Sequence, residues 1–291
     1  MKKVPFTGVC TALVTPFLEE RVNYPMLEIL IRRQINAGIR AVVLSGTTGE
    51  SPTLADKEKL EMIRRAKEYT GEKCQIIAGT GSNNTEHALS LSKAAEECGA
   101  DALLVVSPYY NKTSFDGLIR HYSTIADAVQ IPIIMYNVPS RTGLDIPVGV
   151  YKALSRHPNI VGVKEASADI VKAAKILADC PREFRVWSGN DDQAVAVMSL
   201  GGSGVISVLS NVLPEETQAM VSAALAGDFD TASALQLRLL PLVEALFQEV
   251  NPIPVKAAMK LIGYDCGSCR LPLTNLNNEK LEKLKKALSY L

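Results

Sequence analysis

A closed (β/α)₈ barrel with a small C-terminal all-helical extension is the fold class predicted by this 291-residue sequence. Three observations predict it. Eight short runs rich in β-branched residues recur, each followed by a stretch of helical periodicity. The runs are apolar nearly throughout instead of alternating, the mark of parallel strands covered on both faces. Beyond Val208 only helical segments remain.

In chain order the expected strands are Gly8–Leu13, Ala41–Leu44, Gln75–Ala78, Ala102–Val106, Ile131–Tyr136, Ile160–Lys164, Arg185–Ser188 and Gly204–Val208. Helical candidates between them include Asp56–Tyr69, Thr85–Cys98, Asp116–Ala128 and Ala168–Ala178, and residues Thr53 to Asp56 carry the cap signal for the first of these. Strict alternation favours a closed barrel over an open doubly wound sheet. That rival would carry a glycine fingerprint after its first strand, where this sequence has Val14-Thr-Pro-Phe17. Glu215–Ala226 completes the barrel, and Phe229–Phe247, Pro254–Ile262 and Asn278–Tyr290 form the extension. The expected division is a catalytic barrel over 1–227 and a helical domain over 228–291.

Composition narrows the function. Lysine plus arginine and aspartate plus glutamate balance at 31 each, so the formal net charge is zero. Nucleic-acid binders usually need a basic surplus to displace counterions, so no nucleic-acid partner is expected. No apolar run approaches the ~18 residues of a membrane span. The stretch after Lys2-Lys3 is broken by Thr7, Thr11, Thr15 and Pro16, unlike a signal peptide. A cytoplasmic protein without a membrane partner is the expectation. Six cysteines are scattered, and only Cys266-Gly-Ser-Cys269 has a redox-like spacing. No strand leads into it, so it reads as a free surface loop. His87, His121 and His157 lack metal-ligand spacing, and no nucleophile elbow or dinucleotide fingerprint occurs, so no metal or other cofactor is expected.

In such a barrel the chemistry belongs at the carboxyl ends of the strands. Lys164 closes the apolar run Ile160-Val-Gly-Val163. Desolvation disfavours an ammonium, and a neutral amine can capture a ketone as an imine; a salt bridge to Glu165 is the alternative. The loop Gly46-Thr-Thr-Gly49 offers backbone N–H groups and two hydroxyls, a nest for a carboxylate or phosphate, or else an ordinary strand-to-helix turn. No Gly-Lys-Ser/Thr follows it, so it is not a P-loop. Tyr109, Tyr110 and Tyr136 sit at adjacent strand ends, where they would pass protons or simply pack at the rim. Arg141 would hold a substrate carboxylate bidentately or lie exposed on its loop.

Together Gly46-Thr-Thr-Gly-Glu-Ser51, Pro108-Tyr-Tyr-Asn111, Tyr136-Asn-Val-Pro-Ser-Arg-Thr-Gly143, Gly162-Val-Lys-Glu165 and Gly204-Val-Ile-Ser207 resemble, in order and over almost the whole chain, the 4-hydroxy-tetrahydrodipicolinate synthase (dihydrodipicolinate synthase) family, among the N-acetylneuraminate lyase-like class I aldolases. The resemblance implies a lyase that condenses pyruvate with L-aspartate 4-semialdehyde through a Schiff base on Lys164, in the first committed step towards diaminopimelate and lysine. It implies a relay of Thr48, Tyr136 and Tyr110, the last reaching into a neighbouring subunit of a homotetramer built from two tight dimers. Thr47 and Thr48 would hold the pyruvate carboxylate, Arg141 the aldehyde's carboxylate, and Ile206 (through its carbonyl) and Gly189 would complete the substrate site. Ser51, Asn83, His87 and Tyr109 would line a lysine regulatory pocket. Asp56, Lys59 and His87 appear where strongly inhibited members carry two histidines and a glutamate, so weak or absent inhibition is expected. Two other readings stand beside this one: a sister aldolase, either N-acetylneuraminate lyase or a 2-keto-3-deoxy sugar acid aldolase, and a silent barrel serving as a ligand-binding regulator.

Overall fold

In the computed structural model, which describes residues 4–290, eight parallel strands close into a barrel. The strand β1 (Gly8–Ala12) is followed by a small antiparallel hairpin, β2 (Phe17–Leu18) and β3 (Arg21–Val22), and by α1 (Tyr24–Asn36). Next come β4 (Ala41–Leu44), α2 (Asp56–Thr70), β5 (Gln75–Gly79), α3 (Thr85–Glu97), β6 (Ala102–Val106) and α4 (Phe115–Asp127). Then follow β7 (Ile133–Asn137), α5 (Pro139–Thr142), α6 (Val148–Leu154), β8 (Ile160–Glu165), α7 (Ile170–Asp179), β9 (Arg185–Ser188), α8 (Ala194–Ser199) and β10 (Gly204–Ser207). The chain ends in α9 (Pro214–Leu225), α10 (Phe229–Phe247), α11 (Ile253–Leu261) and α12 (Asn278–Ser289). Around the barrel the order is β1-β10-β9-β8-β7-β6-β5-β4, and β4 pairs back onto β1.

Strand parity separates two apolar clusters. Cys10, Val43, Ile77, Leu104, Ile134, Tyr136, Trp187 and Ile206 point inward and fill the barrel. Val9, Val42, Ile76, Leu103, Met135 and Val163 point outward and bury against the surrounding helices. Because both faces are covered, these strands must be apolar at successive positions. Phe6, entering at the N-terminal end of β1, stacks on Trp187 with ring centroids 4.9 Å apart and plugs the barrel beneath the strands' carboxyl ends.

Local chemistry fixes the element boundaries. The side chains of Asn84, Ser114, Asp169 and Asn277 each accept a backbone N–H at the start of α3, α4, α7 and α12. The fifth barrel strand starts at Ile133, two residues later than the apolar run predicts. Pro132 has no N–H to give, and the Ile131 N–H goes to the Glu96 carboxylate at 3.2 Å. The cap of α2 falls within residues 53–56, as expected. Its N-cap is Ala55, whose N–H donates to Glu58 at 2.9 Å, while the Thr53 hydroxyl turns back to the Glu50 carbonyl at 3.1 Å. The Cys266–Cys269 segment is not a free surface loop: Cys266 is completely buried, and its carbonyl accepts the Phe17 N–H at 2.9 Å. Among the described residues, Cys266 and Cys269 form no disulfide.

Candidate active site

Strand register brings the reactive groups together. Lys164 on β8 lies opposite Tyr136 on β7 and Trp187 on β9, both inward residues. Its ammonium position, Nζ, is 4.5 Å from the centroid of the Tyr136 ring, and the residue is 6% exposed. Gly189 supplies the clearance. A Cβ built there would lie 3.1 Å from Lys164 Cε, so any side chain would crowd the lysine stem. The next residue, Glu165, has the opposite parity. Its carboxylate accepts the Asn137 amide at 2.9 and 3.1 Å, the Ser167 N–H at 2.8 Å and the Tyr151 hydroxyl at 3.4 Å. Those donors occupy Glu165, and among the described residues Lys164 forms no ion pair with it. On β1, Cys10 is close enough for the Lys164 charge to pull its thiol down, although burial and Cys74 together push that thiol well above its ordinary value.

A cavity of about 950 Å³ opens at the carboxyl ends of the strands. Thr47, Tyr136, Arg141 and Tyr110 line it, with Ser51 and His87 on a further wall. Thr48 is buried behind this wall, and its hydroxyl accepts an N–H of the Asn251 side chain at 2.9 Å. Arg141 is exposed on α5, and its guanidinium donates to the Asn251 carbonyl at 3.2 Å. Ile206 is fully buried on β10, paired with Cys10. Tyr110 stands apart. It is 91% exposed, in the left-handed region at φ 66°, and projects from the chain.

The side pocket has its own polar set. The Asp56 carboxylate takes His87 Nε2 at 2.7 Å and Lys59 Nζ at 3.3 Å, and His87 Nδ1 lies 3.3 Å from the Ser82 hydroxyl. Burial opposes ionisation of Asp56, but these two partners together hold its carboxyl below the ordinary value. Tyr109 lines the same cavity, whereas the Asn83 carbonyl accepts the Asn111 amide at 3.0 Å.

Three residues that sequence reasoning missed belong to this region. Asn251 touches Thr48 and Arg141 from 110 and more residues away in sequence. Glu50 is buried in an ion pair with Lys256 at 2.9 Å, behind the threonine loop. Asp191 is buried, and its carboxylate accepts the Val208 and Leu209 N–H groups at 2.8 and 3.0 Å, fixing the turn after β10. Burial raises the Asp191 carboxyl, against the opposing pull of the Ser207 hydroxyl, those two N–H groups and the Lys164 charge. No local pattern marks any of the three; each is defined by a contact far along the chain. Among the described residues, no group of three or more His, Cys, Asp or Glu side chains could hold a metal ion.

Lys164 meets Tyr136, whose ring lines the cavity together with Thr47 and Arg141, while Lys164, Thr48, Gly189 and Ile206 are not among its lining residues. An inward lysine beside a tyrosine, below a cavity with a hydroxyl and a guanidinium, can form an imine, shuttle protons and bind carboxylates. Known proteins match the chain closely over its whole length. The 4-hydroxy-tetrahydrodipicolinate synthase of Acetivibrio thermocellus is 48% identical over 99% of this chain and 98% of its own. The crystal structure of dihydrodipicolinate synthase from Aquifex aeolicus superposes with a TM-score of 0.96 at 42% identity, covering 98% of this chain and 97% of that one. A synthase characterised as the first monomeric variant also superposes at 0.96, at 39% identity, over 98% of this chain and 96% of its own. The model of the dihydrodipicolinate synthetase family matches residues 5–291, and the chain belongs to that family.

Proposed function

We propose that this chain condenses pyruvate with L-aspartate 4-semialdehyde to 4-hydroxy-tetrahydrodipicolinate, the entry step to diaminopimelate and lysine. The observation that carries the reading is Lys164, inward at the end of β8 and in register with Tyr136. As the free base, the Lys164 amine attacks C2 of pyruvate, and the carbinolamine loses water to give an iminium. Loss of a C3 proton leaves an enamine. Its C3 attacks the aldehyde carbon, forming the new C–C bond, and the aldehyde oxygen takes up a proton as the hydroxyl. The amino group of the adduct then attacks the imine carbon and expels Lys164, closing the ring and restoring the amine. One water leaves in all.

In this reading Tyr136, Thr48 and Tyr110 move protons, because each carbinolamine step needs one delivered or removed. Thr47 and Thr48 bind the pyruvate carboxylate, Arg141 binds that of the aldehyde, and Gly189 and the Ile206 carbonyl shape the floor. The 91% exposure of Tyr110 supports its use in trans, where a partner's cavity would give it a task. A homotetramer of two tight dimers is the assembly this reading uses, and the description of one relative as the first monomeric variant supports association of subunits. Residues 1–227 serve as the catalytic barrel and 228–291 as its helical extension. No helix of the described residues is long and apolar enough to cross a membrane. A cytoplasmic site of action belongs to the same proposal.

Lysine regulation through Ser51, Asn83, His87 and Tyr109 is weak or absent. His87 and Lys59 already engage the Asp56 carboxylate that an incoming ammonium would need. Half-inhibition by lysine in the low micromolar range would contradict this. The main reading is tested by borohydride trapping with pyruvate. Label is expected on Lys164 and absent from Lys164→Ala; a labelled alanine variant removes the mechanism. An acceptor panel of aspartate semialdehyde, N-acetylmannosamine and glyceraldehyde then tests the substrate, and turnover with a sugar acceptor alone would move the chain to a sister aldolase.

A further inference from the structure

Asn251 lies just past the end of α10 and is 6% exposed. Its place is fixed on both sides. Gln248 donates to the Lys280 carbonyl at 2.9 Å, and the Lys256 N–H donates to the Pro252 carbonyl at 3.0 Å. One turn into α11, the buried Lys256–Glu50 pair fastens this segment to the loop that carries Thr47 and Thr48. From that anchored position the Asn251 amide Nδ2 donates to Thr48 Oγ1 at 2.9 Å. Its other side-chain atom, Oδ1, is buried without a partner among the described residues. Buried polar atoms are nearly always paired, so the amide is held for the bond it donates, not for the one it leaves unmade.

A threonine hydroxyl has one proton and two lone pairs. Accepting from Asn251 commits a lone pair backwards, towards the C-terminal helices, and leaves the proton free to point forward to the barrel mouth. We infer that Asn251 is a positioning residue that sets the donor direction of the Thr48 hydroxyl in the proton relay, an assignment that rests on the proposed condensation. The backbone of the same residue accepts from Arg141 at 3.2 Å, so one rigid segment sets the register of the threonine against the arginine. Side-chain replacement leaves that carbonyl in place. The relay is therefore separable from aldehyde binding.

The test compares Asn251→Asp, Asn251→Ala, Thr48→Val and the double variant Asn251→Asp/Thr48→Val. Rates are expressed per site that pyruvate and borohydride can trap. An aspartate of the same shape takes the Thr48 proton for itself and turns the hydroxyl round. Its kcat should fall on the order of 10²-fold, the scale of a lost proton transfer, with KM for the aldehyde within about threefold of the parent, because the Asn251 carbonyl still holds Arg141. Alanine leaves the hydroxyl free to rotate and should cost less, roughly tenfold. A purely structural residue would give the reverse order, the isosteric change being milder. The double variant should be no slower than Thr48→Val, since the two act as a unit. An aspartate variant at parental kcat, an alanine variant slower than the aspartate one, or losses that multiply in the double variant would each overturn the assignment. Should the alanine protein not fold, the aspartate and valine comparison decides alone. Failure of the parent protein to trap pyruvate would instead sink the proposed condensation, a distinct result.

Discussion

Lys256→Met is the most informative stability perturbation in the molecule. The pair it breaks is buried, with side-chain exposures of 3% for Lys256 and 0% for Glu50. Lys256 Nζ donates to Glu50 at 2.9 Å and to the Ser268 carbonyl at 3.0 Å, and it sits 4.5 Å from the Phe17 ring centroid. Methionine matches its volume and removes all three contacts. Glu50 is then left as a buried carboxylate whose remaining named support is the Arg270 N–H at 2.8 Å and the Cys269 thiol. Removing one partner of a buried pair costs about 3–5 kcal/mol, because the stranded charge has lost its compensation. At roughly 2–4 °C per kcal/mol for a large domain, Tm should fall by about 6–20 °C. Replacing both partners, as in Glu50→Gln/Lys256→Met, removes the stranded charge and should restore stability to within about 2 kcal/mol of the parent. The assay is a urea titration of the four proteins of the cycle, with thermal scans at one fixed rate. A single variant within about 1 kcal/mol of the parent, or a double variant as unstable as the sum of its parts, would refute the reasoning.

Other consequences can be checked in parallel. Gly162→Ala places a Cβ against the Arg185 carbonyl and 2.7 Å from Trp187 Cζ3. Overpacking of this kind costs about 1–3 kcal/mol, so a lower Tm and reduced activity are expected from the strand that carries Lys164; an unchanged Tm would contradict the packing described. His121 is buried against Thr85, 2.9 Å from its hydroxyl, and burial pushes the imidazole down to about 4 from 6.5. Because the unfolded chain takes the proton first, this contribution is whole above pH 6.5 and is lost as pH falls towards 4. The loss amounts to about 3 kcal/mol, and His121→Gln should flatten the urea midpoint between those pH values. A parallel pH dependence in the variant would assign the acid loss elsewhere. Burial raises the Cys266 thiol to about 12 and the Cys269 thiol to about 11. Few thiolates then exist at neutral pH, so alkylation of both should be slow in the native protein and fast in denaturant; native labelling of Cys269 at the rate of a free thiol would contradict this.

The barrel is legible in the sequence because its cause is local. A strand covered on both faces must be apolar at every position, and Ala41–Leu44 and Ala102–Val106 announce themselves in four or five residues. The candidate site inherits that legibility wherever a proposed residue lies next to the last position of a strand, as Lys164 and Tyr136 do. Reach is harder to read. Nothing near Lys164 tells whether its amine meets Glu165 or the barrel interior; strand parity decides, and parity depends on the bulge in the β7–β8 pairing between Ile133 and Ile134. The cap signal of α2 is legible as the segment 53–56 but not as a residue: Thr53 has a competing acceptor, the Glu50 carbonyl, and Ala55 takes the N-cap.

The threonine loop shows why the distant contacts matter. Ser45 and Glu50, on either side of Thr47 and Thr48, both hold the left-handed conformation, at φ 55° and 56°. For residues other than glycine, each such conformation costs of order 1–3 kcal/mol and persists only where the surroundings over-determine it. Here three contacts do so: Thr15 donates to the Gly49 carbonyl at 2.7 Å, Lys256 pairs with Glu50, and Asn251 grips Thr48. Two of the three come from residues 251 and 256, beyond the last strand. The C-terminal helices therefore help fix the shape of the loop that carries Thr47 and Thr48. Loosening them should cost the orientation of the Thr48 hydroxyl before it disturbs the strands, because the strands rest on their own ladders and the loop does not.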